Sequence, residues 1–171
     1  MIVVPYVFSH DNIAEAMKQE SSLYAERKLT EEGNSLFDEL VFDEEYYRKF
    51  RELFFEAQAE VIDRYSPYME HAVEGGYFDE EYLFQEGKTN MEEDFTFTLH
   101  MPPDYNQFYN KQVSIKTREF LIAYIMYRWL ETKSVQEAMI YKNRADISLM
   151  DARAYLEKRV AARRTSGGNM F

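Results

Sequence analysis

Apolar positions along this chain follow two rhythms. Across residues 43–65, Tyr46, Phe50, Leu53, Phe54, Ala57, Val61 and Tyr65 step by three and four, which predicts one continuous stripe on an amphipathic helix. Asp43 is placed to cap that helix, with Glu44 and Glu45 in its first turn. Ser66 followed by Pro67 predicts a fresh short helix and a bend. Across 94–101 the rhythm changes to two. Phe95, Phe97, Leu99 and Met101 share one side, Thr96, Thr98 and His100 the other, and Pro102-Pro103 ends the run. That alternation predicts a half-buried strand.

The remaining elements follow from local signals. Residues 1–8 are β-branched and aromatic with Pro5 among them, which suits an edge strand or an extended arm. Ser9 or Asp11 can cap a helix running to about Lys28, and a turn follows at 30–35. Two glycine-containing breaks, at 74–77 and 86–90, flank Tyr82-Leu83-Phe84, a short candidate strand that could pair with 94–101 as a hairpin. From Val113 or Ser114 to Lys133 a helix carries Ile115, Ile122, Ile125 or Met126, and Trp129 as its main stripe. Phe120, Leu121 and Tyr124 extend the apolar surface almost around the circumference. A helix apolar on nearly every side is buried on nearly every side, so this one is expected at the centre. Ser134 and Glu137 form a capping-box pattern. The helix they open is expected to reach about Arg164, with a small-residue seam at Ala138, Ala145, Leu149, Ala152, Leu156 and Val160. The tight junction at 132–134 predicts an antiparallel hairpin.

The fold class expected is therefore mainly α: an antiparallel helical bundle with a small β-hairpin insertion and extended N- and C-terminal arms. One domain spans 1–165, with the β excursion at about 77–103 and the N-terminal arm at 1–8. Residues 166–171 form a flexible C-terminal tail. The 171 residues suffice for a sizeable core.

Charge adds a polarity to this picture. The formal net charge is −11, unevenly spread: residues 142–171 hold seven basic and three acidic side chains, +4, leaving −15 on residues 1–141. An acidic body repels phosphate, which argues against coating DNA, while a basic end can dock on an oppositely charged neighbour. The absence of cysteine excludes disulfides and thiolate sites. The longest charge-free apolar run, 120–127, is far below the ~20 residues that a bilayer demands, and the first residues lack a basic signal-type segment. A soluble, intracellular protein with no membrane partner is the expectation.

Catalytic patterns do not emerge. His10, His71 and His100 sit in unrelated contexts, and the residues three before them are Val7, Tyr68 and Phe97 rather than Glu, so polar surface or interface roles are expected. The acidic runs at 43–45, 79–81 and 92–94 are consecutive rather than alternately spaced, as solvated charge runs are. No phosphate loop or nucleophile elbow is found. The apolar helix offers few polar candidates, chiefly Tyr124 and Arg128, and these read as rim residues. No catalytic, cofactor-binding or metal residue is assigned, and an enzyme is not expected.

The candidate chemistry is recognition. The 14 Tyr and 13 Phe are residue types favoured where partners meet. The N-terminal arm offers Tyr6 and Phe8, the strand offers Phe95 and Phe97, and the basic end offers Arg159, Arg163, Arg164 and Phe171. These eight are the candidate partner-binding residues. Each aromatic set has a second reading: the arm folds back on its own bundle, or the strand packs as an internal hairpin.

The stretch from Arg118 to Arg159, REFLIAYIMYRWLETKSVQEAMIYKNRADISLMDARAYLEKR, resembles the final helical hairpin of head–tail connector (adaptor or neck) proteins of tailed bacteriophages. Such proteins are wedges in a ring beneath the portal, usually twelve-fold, with tails reaching the portal or the next ring. The resemblance implies a non-enzymatic virion protein, present in host cytoplasm during assembly. Its partners would be further copies of itself, the portal and adjacent neck or tail proteins, with DNA passing through an acidic lumen as cargo. The β segment at 94–101 is larger than the simplest adaptors carry. A different class also suits the charge: an acidic, nucleic-acid-mimicking inhibitor or protein-interaction module.

Overall fold

The computed structural model describes residues 1–32, 46–69 and 94–160. In chain order these form β1 (Ile2–Phe8), α1 (His10–Glu32), α2 (Tyr47–Tyr65), β2 (Phe95–Met101), α3 (Asn110–Leu130) and α4 (Val135–Leu156). Single 3-10 turns follow α2 at Ser66–Tyr68 and precede α3 at Gln107–Tyr109. The protein is thus mainly helical with a small two-stranded antiparallel sheet.

α3 is the hub, and α1, α2, α4 and β1 all pack on it. The sequence explains why. Phe120, Leu121, Ile122 and Ala123 are four consecutive buried residues, and four steps of a 3.6-residue turn go round the whole helix. Val113, Thr117, Ile125, Met126, Trp129 and Leu130 extend that burial to both ends. α4 runs back along α3. The start of α3 meets the end of α4 through Lys116 and Asp151 (3.7 Å) and stacked Tyr109 and Tyr155 (5.4 Å between ring centres). Near the turn, Lys142 lies over the Tyr127 ring at 5.7 Å. This is the expected antiparallel hairpin, joined by a tight link in which Lys133 and Ser134 both donate to the Leu130 carbonyl. Ala138, Ala145, Leu149, Ala152 and Leu156 face α3, so the small-residue seam lets the two backbones approach.

α2 starts at Tyr47, with Tyr46 rather than Asp43 at its N-cap, and buries Phe50, Leu53, Phe54, Ala57, Val61 and Tyr65; this is the predicted stripe apart from Tyr46, which is half-buried. α1 begins where Ser9 accepts from Ile13 N through its carbonyl (3.1 Å), with the Asn12 amide 3.5 Å from its hydroxyl. It buries His10, Ile13, Met17, Ser21, Tyr24 and Ala25. Glu20 ties it to α4 by an ion pair with Arg144 (2.8 Å) and a hydrogen bond from Tyr141 (3.2 Å).

Several details differ from the expectations, each for a physical reason. β2 pairs with β1, from Ile2 opposite Met101 to Phe8 opposite Phe95. The residues at 82–84 proposed as its hairpin partner lie outside the described residues. The N-terminal arm is therefore a folded edge strand, because Val4, Tyr6 and Phe8 alternate into the core. α3 starts at Asn110, after Asn106 caps the preceding turn by accepting from Phe108 N (3.2 Å). Ile115, assigned to the buried stripe, is 45% exposed. Ser134 is the N-cap of α4 by its backbone, but its side chain makes no capping bond. α4 ends at Leu156 rather than near Arg164. Arg159 donates to the Leu156 carbonyl (2.9 Å), and the chain then turns back: Asn106 N donates to Lys158 O (3.1 Å) and Val160 N to Asp104 O (2.8 Å). Val160 is consequently exposed instead of closing the seam.

Candidate interaction surfaces

The rings proposed for docking form a cluster under the sheet. Tyr6 stacks on Phe97 (5.3 Å), Phe8 on Phe95 (6.0 Å) and on Phe97 (5.9 Å), and Tyr65 of α2 approaches Phe97 at 5.6 Å. Tyr6, Phe8 and Phe95 are buried and Phe97 is half-buried. Their own chain covers them, which corrects their assignment as a partner-facing surface. Burial pushes the Tyr6 phenol far above its ordinary range, with neighbouring Tyr105 acting in the same direction. Beneath the cluster, Tyr65 Oη lies 2.7 Å from Thr117 Oγ1, and Thr117 donates to Val113 O (2.8 Å).

Arg159 pairs with Asp104 (3.5 Å) besides capping α4, so it clamps the chain end to the segment before α3. It retains an exposed part. Arg163, Arg164 and Phe171 lie outside the described residues.

His10 is not the surface or interface residue expected. It is buried, edge-on to Tyr47, Phe50 and Phe54 at 5.6, 5.2 and 5.5 Å, with Nδ1 3.3 Å from Asp11 Oδ1. Its amide donates to Asp94 (3.1 Å), fastening the start of α1 to the start of β2. Among the acidic runs, residues 43–45, 79–81 and 92–93 lie outside the described residues. Of the remaining polar candidates, Arg128 bridges Glu56 (3.1 Å) and Glu131 (2.8 Å), and Tyr124 packs between Phe120 and Tyr127. Burial raises the Tyr124 phenol, and Glu56 and Glu60 raise it further. Arg128 and Glu56 join α2 to α3 at a half-exposed rim. Among the described residues no group of three or more His, Cys, Asp or Glu could hold a metal ion. No described helix is long and apolar enough to cross a membrane. A shallow open cleft of about 240 Å³ between α1 and α3 is lined by Asn12, Glu15, Ala16, Gln19 and Arg118. It is smaller than sites that enclose small molecules usually are.

Among the described residues, two exposed surfaces carry no Asp, Glu, Lys or Arg. On the sheet, Val3, Pro5 and Val7 point outward, opposite His100, Thr98 and Thr96 of β2. On α4, Ile140, Ile147 and Met150 are 57, 59 and 72% exposed, on the side away from α3. Sequence reasoning missed the α4 surface. Its signal was present as a 4-3-4-3-4 spacing from Gln136 through Ile140, Asn143, Ile147 and Met150 to Ala154. Compared with known protein families, curated proteins and solved structures, the chain matches none.

Proposed function

We infer that this chain is a structural protein of a tailed-phage neck, a non-enzymatic wedge that assembles with further copies into a ring on the portal side of the tail. The observation carrying this reading is the uncovered row Val3, Pro5 and Val7, an apolar strip of β1 on the outer face of the sheet, in a chain of net charge −11. Apolar rows of this kind gain by being covered by another protein. A ring supplies the cover through repeated head-to-tail contacts, whose small individual strengths combine. The antiparallel α3–α4 hairpin lends support, because it occupies the stretch that resembles the connector hairpin. The acidic body suits a channel wall along which DNA slides, and the basic end suits docking.

The test is co-expression with the portal protein encoded in the same genome, followed by affinity capture and electron microscopy. A closed ring of this chain on the portal is expected, with Val3→Ser/Val7→Ser lowering its yield. A genome without a portal gene, or a portal that captures none of this chain, refutes the reading.

A further inference from the structure

We propose that α4 carries a self-complementary seam through which two copies of this chain pair, helix against helix, in an antiparallel register centred between Ser148 and Leu149. The inference goes beyond the neck reading and does not depend on it.

The seam is Gln136, Ile140, Asn143, Ile147, Met150 and Ala154, spaced 4-3-4-3-4 and free of charge. All six are exposed, on the side of α4 opposite the buried row that faces α3. A 3.5-residue average repeat is the pattern by which one helix meets another, since it keeps the same stripe against the partner along its length. The expected occupant is therefore a helix, and the charges beside the seam say which one.

Glu137, Arg144 and Asp151 border one flank, and Asp146 and Arg153 the other. In an antiparallel two-fold pair each flank meets the same flank of the second copy. With the axis between Ser148 and Leu149, Ile147 and Met150 pack against Met150 and Ile147 of the second copy, and Asn143 lies opposite Ala154. Arg144 then falls within two residues, about 3 Å along the axis, of Asp151 of the second copy, and Asp146 likewise of Arg153. Two-fold symmetry makes four opposite-charge contacts around an apolar centre. Sliding the axis by half a heptad, to Ala145, sets Arg144 against Arg144 and Asp146 against Asp146. A parallel pair sets Asp146 against Asp151. Like charges so placed are unfavourable, so one register is selected.

These side chains are available for the contact. Asp146 makes no ion pair among the described residues. Arg144, Asp151 and Arg153 pair within the chain with Glu20, Lys116 and Glu157, yet each keeps 48% of its side chain exposed. α4 itself, Val135–Leu156, holds three acidic and three basic residues. On a chain of −11 it is a face that a second copy can approach without net repulsion.

The full chain is examined alone by sedimentation equilibrium, so the result is independent of any portal. Twice the 20.5 kDa chain mass is expected, with a dissociation constant on the order of 10 µM for one helix pair. Ile147→Glu changes an exposed residue, so the circular dichroism spectrum should be unchanged while pairing weakens by about 100-fold. Asp146→Arg should weaken pairing by about 10-fold, and adding Arg153→Asp should restore it to within about 3-fold. A chain that stays monomeric to about 500 µM overturns the proposal. So does a dimer that Ile147→Glu leaves intact, or an Asp146→Arg defect that the charge swap fails to rescue.

Discussion

The buried pair between α2 and α3 permits a prediction in which two single substitutions at one hydrogen bond have unequal costs. Tyr65 and Thr117 are both 0% exposed and their hydroxyl oxygens are 2.7 Å apart. Thr117 gives its only proton to Val113 O, so Tyr65 must be the donor and Thr117 the acceptor. Tyr65→Phe removes the donor and leaves Thr117 still bonded to its helix, a loss of about 1 kcal/mol. Thr117→Val keeps the shape but strands a buried phenol without its acceptor. That should cost about 2–3 kcal/mol, the full desolvation of the orphaned group. The double variant strands nothing, so its cost should fall below the sum of the singles by about 1–2 kcal/mol. For a chain of this size, 1 kcal/mol moves Tm by about 2–4 °C, so the two single variants should be resolved from one another and the double variant from their sum. Urea unfolding followed by Trp129 fluorescence is the assay, because this sole tryptophan is 6% exposed in the fold and sits on the same helix as Thr117. A Tyr65→Phe variant at least as destabilised as Thr117→Val, or additive costs in the double variant, would refute the donor assignment.

Further outcomes follow from the same structure. Burial pushes Tyr65 up to about 12 from 10.0. The folded state therefore holds that proton more tightly: the stabilisation is complete below pH 10 and is lost as pH rises through 12, to a total of about 3 kcal/mol. Urea midpoints should fall as pH rises from about 10 towards about 12, and less steeply in Tyr65→Phe; a midpoint independent of pH would contradict this. Phe8→Ala should cost about 3–5 kcal/mol, whereas Val7→Thr, one residue away on the outer face, should stay within about 0.5 kcal/mol in the monomer. Equal losses, or the larger loss at Val7, would contradict the inward placement of Phe8. Arg159→Ala removes a half-exposed ion pair and a helix-end contact, so a loss of no more than about 1 kcal/mol in the urea midpoint is expected.

The helices were legible where one side of each is buried. The stripe on α2 emerged because Phe50, Leu53, Phe54, Ala57, Val61 and Tyr65 all meet the same neighbours. The run at 120–123 betrayed α3 as the hub, since only a central position buries four consecutive residues. β2 was legible from its alternation, but its partner was not. The nearest candidate lay about ten residues upstream and promised a small loop-closure cost. The observed pairing joins Phe8 to Phe95 across most of the chain, and nothing local encodes that choice. β1 also concealed its alternation, because Val3, Pro5 and Val7 are apolar on the outer face as well. The end of α4 was misplaced for a similar reason: helical sequence continues past Leu156, and a distant contact, Arg159 with Asp104 and the backbone at 104–106, turns the chain aside.

The candidate surfaces were harder to read, because aromatic residue type says little about exposure in a chain with 28 such rings. Large flat rings gain most from being buried, so in a folded monomer they fill the core first; Tyr6, Phe8 and Phe95 did so. What marks a partner-facing surface is an apolar residue that the fold had the chance to bury and left outside. Ile147 and Met150 meet that criterion, since Ser148 and Leu149 between them turn inward. A helix with one seam declares it through a single apolar stripe, but α4 carries two, on opposite sides, and they cancel in any single periodic reading. The two differ in side-chain size. The inner seam is rich in alanine, allowing close approach to α3, while the outer one projects Ile and Met and is bordered by charges of both signs. Large residues on an outward row, flanked by charges that match when the row is inverted on itself, describe a helix shaped for a second helix.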